Sequence, residues 1–554
     1  MNRNELRIGS SEYGMKNEIP RSLFAIPYSL FLPDWLGRST SPNAKKLPPR
    51  RGVVLILVMV VVAMLSLAGL GFVATMHSER KTVHLEADQL RLEALVASGV
   101  ESVKVFFEQS QQARQEAGGS WNNAELFQGV VVSTDEATRR RGHFSVVAPR
   151  IEDGEATGIR FGTENESAKL NLAALVRWDR RELGAGRRAL MSLPGMTESI
   201  ADALLDWVDA DSTPRPSGAE ADYYEGLGVP YSPRNGAPQG LEELLLVRGV
   251  TRGLLFGADA NFNHRIEPEE RRAAADLPGG PVGSGRLPWA SLITVASAER
   301  NEASDGQPRI NLNDNNLAEL ERRLGAVFDA SWTRFILAYR QFGPYTGPKA
   351  ADPNLSITIE TSKPAQARIG SLLDLIGAKV RIPPPTGGDE KLEKVLASPL
   401  ANDPIAMRDY LPKLLDRAAV TAAPVIAGRV NVNMAPRAVL RAAPGMDSAL
   451  VERILAARGS RLTQDDPSRR HPTWLLTEGL VDLPRMRTLL RYLTTGGDVQ
   501  RAQVVGFFDQ AGPSLRAEIV VDASTRPARQ IYYKDLRLFG RGYPLESLGL
   551  EEER

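Results

Sequence analysis

The stretch DANFNHRIEPEE, which begins at Asp259, has the residue types and spacing of a calcium-binding loop. Asp259, Asn261 and Asn263 place side-chain oxygens at the first, third and fifth positions, and Glu270 places a carboxylate at the last. Arg265 can offer its backbone carbonyl in between. This is the oxygen-ligand pattern of an EF-hand loop. Because two of the ligands are neutral amides, the sequence predicts a calcium site of low affinity.

The sixth position of this loop departs from the pattern. His264 stands where an EF-hand has glycine. Histidine enters the left-handed region of φ/ψ space more readily than most residues, so the turn is strained rather than forbidden. The alternative interpretation is a solvated polar turn that precedes a helix.

A second acidic cluster is also a candidate for calcium, because loops bring oxygen ligands together around hard divalent cations. Five carboxylates bracket a loop rich in proline and glycine: Asp206, Asp209, Asp211, Glu220 and Asp222. The alternative interpretation of this cluster is an exposed acidic face.

An uninterrupted apolar run over residues 53–76 precedes both candidate calcium sites, and we expect it to anchor the chain in a membrane. At 1.5 Å per residue the run reaches roughly 36 Å, which is enough to cross a bilayer. Basic residues precede it and predict a cytoplasmic N-terminus: Arg38, Lys45, Lys46, Arg50 and Arg51. A cut between Gly52 and Val53 would remove this leader and leave the apolar helix on the mature chain.

The helical pattern continues beyond the membrane segment. Apolar residues recur at helical spacing to about residue 116 and no proline intervenes, so we expect one helix of about sixty residues. The alternative is an anchor followed by a separate soluble helix. Strand-like stretches follow at residues 129–133, 143–148 and 157–162.

Three more strands are predicted near the C-terminus, at residues 503–508, 516–523 and 530–536. We expect them to return to the N-terminal strands and complete one antiparallel sheet on the long helix. The alternative is an independent C-terminal β domain. Linkers rich in proline and glycine are predicted at residues 278–285 and 383–388.

The region between these strands is predicted to be mostly helical and repetitive. A motif with asparagine between aliphatic residues recurs around Asn171, Asn311 and Asn431. Pro-Gly turns precede helices that would begin at Thr197 and Asp447, both suitable N-caps. Such turns resemble helix-hairpin-helix modules that bind DNA phosphates. However, Asp447 would repel a phosphate, so packing is the favoured role and DNA binding the alternative.

Composition excludes several functional classes. The 554 residues contain no cysteine, so there is no disulfide framework, thiolate metal site or cysteine nucleophile. The net charge of +1 argues against a polyelectrolyte that binds nucleic acid. The histidines do not show metal-ligand spacing, and the common motifs of hydrolases and nucleotide-binding enzymes are missing. We therefore expect no enzymatic activity.

The leader that ends in Gly52, the apolar helix that follows at once and the helix-then-strands body resemble type IV pilins and type II secretion pseudopilins. Leu57 stands at the fifth mature position, where most members carry glutamate, and this is the mark of the K-type minor pseudopilin. The acidic segment that begins DWVDAD at Asp206, and LEELLLVRGVT from Leu241, also resemble that member. The resemblance covers about residues 50–260 well and the C-terminal region more loosely.

The resemblance implies an α+β fold in which a pilin-like long N-terminal helix packs on an antiparallel sheet, with a large, mostly α-helical insertion. It also implies a single-pass inner-membrane protein with its body in the periplasm, at the tip of a pseudopilus that assists export of folded proteins. The implied partners are I- and J-type minor pseudopilins, other pseudopilus subunits and prepilin peptidase. The predicted regions are a leader (1–52), a transmembrane helix (53–76), a pilin-like helix with the first strands (77–168), the insertion (169–496, with repeats near 169–260, 309–345 and 429–495) and the C-terminal strands (497–554).

Overall fold

A computed structural model describes residues 52–133, 141–152, 155–275, 287–383, 394–458, 467–509 and 512–550. The basic leader residues, the first predicted linker and all of the second except Pro383 lie outside this described part. The chain divides into two compact units between Glu79 and Arg80. The predicted region boundaries themselves stay a prediction.

The α-helices, in chain order, are α1 (Val53–Glu108), α2 (Gln111–Glu116), α3 (Ala124–Phe127), α4 (Leu172–Arg181), α5 (Ala185–Leu190), α6 (Glu198–Val208), α7 (Ala221–Glu225), α8 (Arg252–Phe256), α9 (Pro268–Ala275), α10 (Leu317–Gly325), α11 (Ala330–Phe342), α12 (Pro404–Arg417), α13 (Arg437–Ala442), α14 (Ser448–Arg458), α15 (Trp474–Thr477) and α16 (Leu483–Leu489). Short 3-10 helices lie at Glu166–Ala168, Leu241–Leu246, Trp289–Ser291, Leu372–Leu375, Pro467–Arg469, Arg537–Phe539 and Glu546–Leu548.

The strands, in chain order, are β1 (Val130–Ser133), β2 (Gly142–Glu152), β3 (Glu155–Phe161), β4 (Glu164–Asn165), β5 (Leu170–Asn171), β6 (Ile293–Thr294), β7 (Ala298–Arg300), β8 (Ile310–Asn311), β9 (Lys379–Ile382), β10 (Lys394–Ala397), β11 (Ala418–Ala419), β12 (Val425–Ala427), β13 (Val430–Asn431), β14 (Leu493–Thr494), β15 (Val499–Phe508), β16 (Leu515–Asp522) and β17 (Arg529–Asp535).

Helix α1 is one continuous helix of 56 residues, so the prediction of a single long helix is confirmed and the alternative of two helices is wrong. It ends earlier than predicted, at Glu108 rather than near residue 116. The reason is local, because the Ser110 hydroxyl accepts a hydrogen bond from the Ala113 amide (3.2 Å) and thereby caps a new helix, α2. The buried side chains of α1 begin at Asp88.

The main sheet joins strands from both ends of the chain, in the order β1-β2-β15-β16-β17, with β3 beside β2 and β4 beside β15. All of its pairings are antiparallel, and β15 pairs with β2 through Val505 opposite Ser145. The C-terminal strands therefore complete the sheet of the N-terminal strands, and they do not form an independent β domain. The α+β fold class is confirmed.

The second half of α1 packs closely on this sheet. Leu92, Val96 and Val103 share a buried core with Val146 and Val504. A Cβ atom on Gly99 would lie only 2.5 Å from Val504 Cγ1, so glycine is what allows the helix to approach the strand there. An apolar helix face packed on one sheet face is the stable way for both elements to remove their apolar surface from water.

The inserted region has its own large apolar core and contains more strand than predicted. Each asparagine motif forms a two-residue parallel ladder, because β5 pairs with β6, β8 with β11 and β13 with β14. An antiparallel pair, β9 with β10, was also missed. Asn431 shows what the motif does. Its Oδ1 accepts from the Asn433 amide (3.0 Å), and its Nδ2 donates to the Thr495 and Gly496 carbonyls (3.0 and 3.2 Å).

Candidate functional site

The loop that begins at Asp259 is held by its own side-chain oxygens. The Asp259 carboxylate accepts hydrogen bonds from the backbone amides of Asn263 (3.1 Å) and His264 (2.9 Å). The Asn261 side-chain oxygen accepts from the Asn263 amide (2.9 Å), and that of Asn263 accepts from the Arg265 amide (2.9 Å). The oxygens at loop positions one, three and five therefore all turn toward the inside of the loop.

Glu270 folds back across the start of the loop. Its Oε1 accepts from the amides of Ala260 (2.9 Å) and Asn261 (3.2 Å), and its Oε2 accepts from the Glu267 amide (3.1 Å). Burial raises the pKa of Glu270, and a hydrogen bond with the Glu267 side chain raises it further, while the same bond lowers the pKa of Glu267. The two carboxyl groups therefore influence each other's pKa in opposite directions.

Glu267 belongs to this group, although sequence reasoning did not select it. It accepts a hydrogen bond from Asn263 Nδ2 (2.6 Å) and stands at the ninth loop position, which often binds calcium through water in EF-hands. That spacing was the signal that could have found it.

The loop backbone is strained where the sequence predicted. His264 has a φ of 60°, so the expected left-handed conformation at the position of the missing glycine is confirmed. Phe262 also has a positive φ, of 56°. Residues other than glycine rarely adopt a positive φ. Such a strained conformation persists where surrounding contacts enforce it.

Those contacts come from the C-terminal strands. Arg516, on β16, donates from Nη2 to the Asn261 carbonyl (2.9 Å) and from Nη1 to the Phe262 carbonyl (3.1 Å). Gln503, on β15, donates to the same Phe262 carbonyl (2.7 Å). Lys534 Nζ lies 4.0 Å from the centre of the Phe262 ring. The loop is thus fastened to the sheet at its strained residues.

The second acidic cluster is partly neutralised by an arginine. Asp206 is fully buried, and its Oδ1 lies 2.7 Å from Arg215 Nη1, which also contacts Asp209. Asp206 further accepts from the Ala219 amide (2.9 Å). Asp211 and Asp222, by contrast, are exposed. The structure therefore gathers only part of the predicted set, together with a cation that the prediction did not include.

Glu220 is the unusual member of this cluster. It is 5% exposed, yet neither of its carboxyl oxygens has a hydrogen-bond partner, and Asp209 Oδ1 also lacks one. Burial, reinforced by the charges of Asp206, Asp209 and Asp211, raises the pKa of Glu220 to about 7. A buried carboxylate without a partner is costly, so this group is either protonated or bound to a cation.

The raised pKa predicts how stability changes with pH in calcium-free buffer. The folded state retains the Glu220 proton that the unfolded chain releases above about 4.5, so the contribution to stability is present at low pH and is lost as pH rises toward 7. We expect Glu220→Gln to raise the free energy of unfolding at pH 8 by on the order of 2 kcal/mol and to flatten this pH dependence. Denaturant unfolding at pH 5 and pH 8 measures both effects. Asp222→Asn, at an exposed position, is the control, and identical pH profiles for wild type and Glu220→Gln would contradict the prediction.

Within the described ranges, no three side chains of the types His, Cys, Asp and Glu converge as a metal-holding set. The Asp259, Glu267 and Glu270 carboxylates therefore do not converge on one point, and the other predicted donors of this loop are two asparagine side chains and a backbone carbonyl. Calcium binding by this loop, and the alternative of a polar turn, therefore both stay predictions.

The predicted cleavage peptide lies at the first residues of α1. Gly52 and Val53 are exposed, and the Gly52 carbonyl accepts from the Ile56 amide (3.2 Å), so the helix begins immediately after the predicted cut. Among the described residues, α1 alone is long and apolar enough to cross a membrane. Leu57 is also exposed.

The two Pro-Gly turns precede helices as predicted. The Thr197 hydroxyl accepts from the Ile200 amide (3.3 Å), and the Asp447 carboxylate accepts from the Leu450 amide (2.8 Å). Asp447 also pairs with Arg485 Nη2. A carboxylate therefore occupies the second turn where a DNA phosphate would have to bind, and the helix-hairpin-helix character of the repeats stays a prediction.

Comparison with known proteins shows that part of this chain is similar to a protein of the type II secretion system. The family model described as type II secretion system (T2SS), protein K matches residues 168–255. Type II secretion system protein K of Pectobacterium carotovorum subsp. carotovorum is 38% identical over 71 residues, which are 13% of this chain and 19% of that protein. The chain thus matches about a fifth of the length of that curated relative.

A solved structure, described as the GspK-GspI-GspJ complex from the enterotoxigenic Escherichia coli type 2 secretion system, contains a similar chain. The similarity covers 82% of this chain and 99% of that chain, with 11% identity and a TM-score of 0.34. The matched family region includes the first asparagine motif and the acidic cluster around Asp206. Residues 168–255 are therefore similar to protein K of the type II secretion system, and the resemblance that the sequence indicated is confirmed by this family match.

Proposed function

We propose that this chain is a minor pseudopilin at the tip of a type II secretion pseudopilus, where it assists export of folded proteins across the outer membrane. The proposal rests on the two different halves of α1, in a chain whose residues 168–255 match the protein K family model. The helix starts directly after Gly52, its first part is apolar and exposed, and its second part is buried on the sheet.

The exposed apolar surface of α1 needs a non-aqueous environment. Residues 53–76 include no charged side chain, and all of them are exposed. A bilayer would cover this surface before assembly, and the helices of neighbouring subunits would cover it in a filament. The proposed location is the inner membrane, with a cytoplasmic N-terminus and a periplasmic body.

Leu57 supports a place at the tip. In pilin-like fibres the glutamate at the fifth mature position is thought to pair with the N-terminal amine of the next subunit, because an unpaired carboxylate among apolar helices is costly. Leu57 cannot form this pair and does not require it. By the family resemblance, the proposed partners are I- and J-type minor pseudopilins and other pseudopilus subunits.

Processing provides the first test. We expect prepilin peptidase to cut between Gly52 and Val53, so mass spectrometry of the membrane-extracted chain should find Val53 at its N-terminus. A bulky side chain at the cut should block it, so Gly52→Leu should keep the leader. Gly71→Leu is the matched control, since a side chain there meets nothing within 4 Å, and it should be processed normally. An intact Met1 end on the wild-type chain would refute the pilin-like assignment.

We propose further that the loop at Asp259 binds calcium through Asp259, Asn261, Asn263, Glu270 and the Arg265 carbonyl, with Glu267 as an added oxygen donor. The inward-turned oxygens, and the Glu270 carboxylate folded back on the start of the loop, support this proposal. The Asp206 cluster, through Glu220 and Asp209 Oδ1, is a weaker second candidate because Arg215 already supplies a positive charge.

Calcium is expected to raise the melting temperature of the full chain in detergent, because an ion that binds only the folded state stabilises it, by about 2.7 kcal/mol at a hundredfold excess over Kd. Glu270→Gln should lose most of this gain. Glu269→Gln is the control, because Glu269 is exposed and pairs only with Arg272 at 2.9 Å in the described part of the chain. An equal response to calcium in Glu270→Gln and wild type would exclude this loop as the main site.

A further inference from the structure

A cavity of about 150 Å³ lies where the end of α1, the start of β15 and the inserted region meet. It is unusually rich in positive charge. Five arginines line it: Arg114, Arg300, Arg309, Arg429 and Arg470. Its lining also includes three carboxylates, those of Glu299, Glu302 and Asp498. The cavity lining therefore carries more arginines than carboxylates.

The carboxylates are already engaged. Asp498 accepts from the Arg300 amide (2.8 Å), from Arg300 Nη2 (3.3 Å) and from Arg114 Nη1 (3.1 Å), so Nη1 is the Arg300 nitrogen that stays open. Glu299 accepts from Arg429 Nε (2.6 Å) and from the Thr494 hydroxyl (2.7 Å). Glu302 pairs with Arg526 at the surface (3.1 Å). These contacts leave little negative charge to offset the remaining arginines.

Arg309 and Arg470 have no carboxylate within ion-pair distance among the residues that the structure describes. Arg309 Nε donates to the Asp416 backbone carbonyl (3.1 Å), and Arg470 Nη2 donates to the Gln115 side chain (2.9 Å). Both partners are neutral groups. Arg309 is half-buried, and burial lowers the pKa of its guanidinium.

Two guanidinium nitrogens at the cavity are buried without any hydrogen-bond partner, namely Arg300 Nη1 and Arg470 Nε. The Arg300 side chain is 8% exposed. Buried polar groups almost always have partners, and an unsatisfied charged donor costs more than a neutral one. Donors left open in a cavity indicate a ligand that supplies acceptor oxygens.

The pKa of His471, which also lines the cavity, is affected by the same positive charges. Burial lowers its pKa to about 3, and the charges of Arg309 and Arg470 contribute to this shift. The imidazole is therefore neutral at physiological pH. A negative charge in the cavity would oppose the two arginines and favour protonation of His471.

We propose that this cavity binds a small tetrahedral oxyanion of the phosphate or sulfate type, with Arg309, Arg470 and Arg300 as its main ligands. Guanidinium groups match such anions through several parallel hydrogen bonds. The volume equals that of about five waters, which suffices for one such ion. Because Arg300 lies on β7, Arg309 precedes β8 and Arg470 follows the 3-10 turn Pro467–Arg469, the anion holds separate segments of the inserted region together.

The test uses the full chain in detergent and calcium-free buffer, with phosphate titrated against chloride at matched ionic strength. We expect a saturable rise in melting temperature with phosphate, and at least a tenfold weaker apparent affinity for Arg309→Gln. Arg322→Gln is the control, because Arg322 forms only an exposed pair with Glu319 (2.6 Å) among described residues and should respond as wild type does. Arg470→Gln serves as a second variant if Arg309→Gln does not fold.

A second measurement separates binding in the cavity from a general salt effect. Phosphate should raise the pKa of His471, as followed by NMR of its ring protons, and chloride should not. Glycerol phosphate is the additional arm. If it binds as phosphate does, the site takes phosphomonoesters, including a lipid headgroup, whereas its failure to bind restricts the site to the free ion. Equal phosphate responses in wild type and both arginine variants, or a His471 pKa indifferent to phosphate, would overturn the proposal.

Discussion

Glu166→Gln is expected to lower the free energy of unfolding by about 3–5 kcal/mol, the range seen when one partner of a buried ion pair is removed. Glu166 is 1% exposed and lies 2.8 Å from Lys169 Nζ and 3.1 Å from Arg501 Nε. Arg501 also pairs with Glu518. The substitution would leave Lys169 with only the more distant Glu164 carboxylate (3.7 Å) and would leave part of the buried Arg501 charge without a counter-charge.

The position of this network explains why its loss should affect the whole body. Glu166 immediately precedes the inserted region, and Arg501 lies on β15 in the middle of the sheet. The Thr294 hydroxyl at the end of β6 also donates to Glu166. One carboxylate therefore holds the first ladder of the insertion against the sheet.

The same contacts fix the pH dependence. Burial raises the pKa of Glu166, but Arg501 and Lys169 lower it more strongly, to about 2. Because the folded-state pKa lies below the unfolded value of about 4.5, this stabilisation is present at higher pH and is lost as pH falls from about 4.5 toward 2. A shift of this size corresponds to roughly 3 kcal/mol.

Denaturant unfolding of the full chain at pH 7 and pH 3 measures both effects. Glu166→Gln should unfold at a lower denaturant concentration at pH 7, and the difference from wild type should shrink at pH 3. Glu182→Gln is the control, because the pair of Glu182 with Arg188 is largely exposed and surface pairs contribute little. A wild-type midpoint for Glu166→Gln at pH 7 would show that the network does not stabilise the fold.

Local patterns in the sequence were sufficient for the elements near the membrane and for the sheet. The apolar run followed by helical periodicity predicted α1, and alternation predicted β16 and β17. The EF-hand spacing also selected Asp259 and Glu270, whose carboxylates both accept hydrogen bonds from backbone amides of the same loop. These features depend on residues that are close together in the sequence, so the spacing of residue types is enough to predict them.

The partners that are far apart in the sequence could not be predicted. Arg215 within the acidic cluster, the bond from Arg516 to the Asp259 loop and the pair of Glu166 with Arg501 all arise from tertiary folding. The asparagine motif was recognised as a repeat. Its partner strands β6, β11 and β14 were not predicted, because each has only two residues and shows no strand pattern in the sequence. Buried charge networks of this kind are therefore visible only in the structure.

The second large effect is expected at one of these distant partners. Arg516 is 1% exposed, and within the described residues it contacts no carboxylate at ion-pair distance. Its guanidinium donates instead to backbone carbonyls, those of Asn261 (2.9 Å), Phe262 (3.1 Å) and Gly540 (3.1 Å). Burial lowers its pKa for this reason. The Gln503 side-chain oxygen (3.4 Å) and the Tyr543 ring, whose centre lies 5.4 Å from Arg516 Cζ, add to these carbonyls in compensating the buried charge.

Arg516→Met is therefore expected to lower the free energy of unfolding by roughly 3 kcal/mol, because methionine fills similar space but leaves several buried carbonyls without a donor. The loop at Asp259 should lose its attachment to β16, so the rise in melting temperature with calcium should shrink as well. Denaturant unfolding and calcium titration of the full chain measure the two effects. Arg529→Met on the neighbouring strand β17 is the control, since Arg529 is exposed and its side chain donates to the Thr525 hydroxyl (3.0 Å). If Arg516→Met unfolds at the wild-type denaturant concentration and keeps its calcium response, the loop is held by its internal hydrogen bonds alone, and the sheet does not position it.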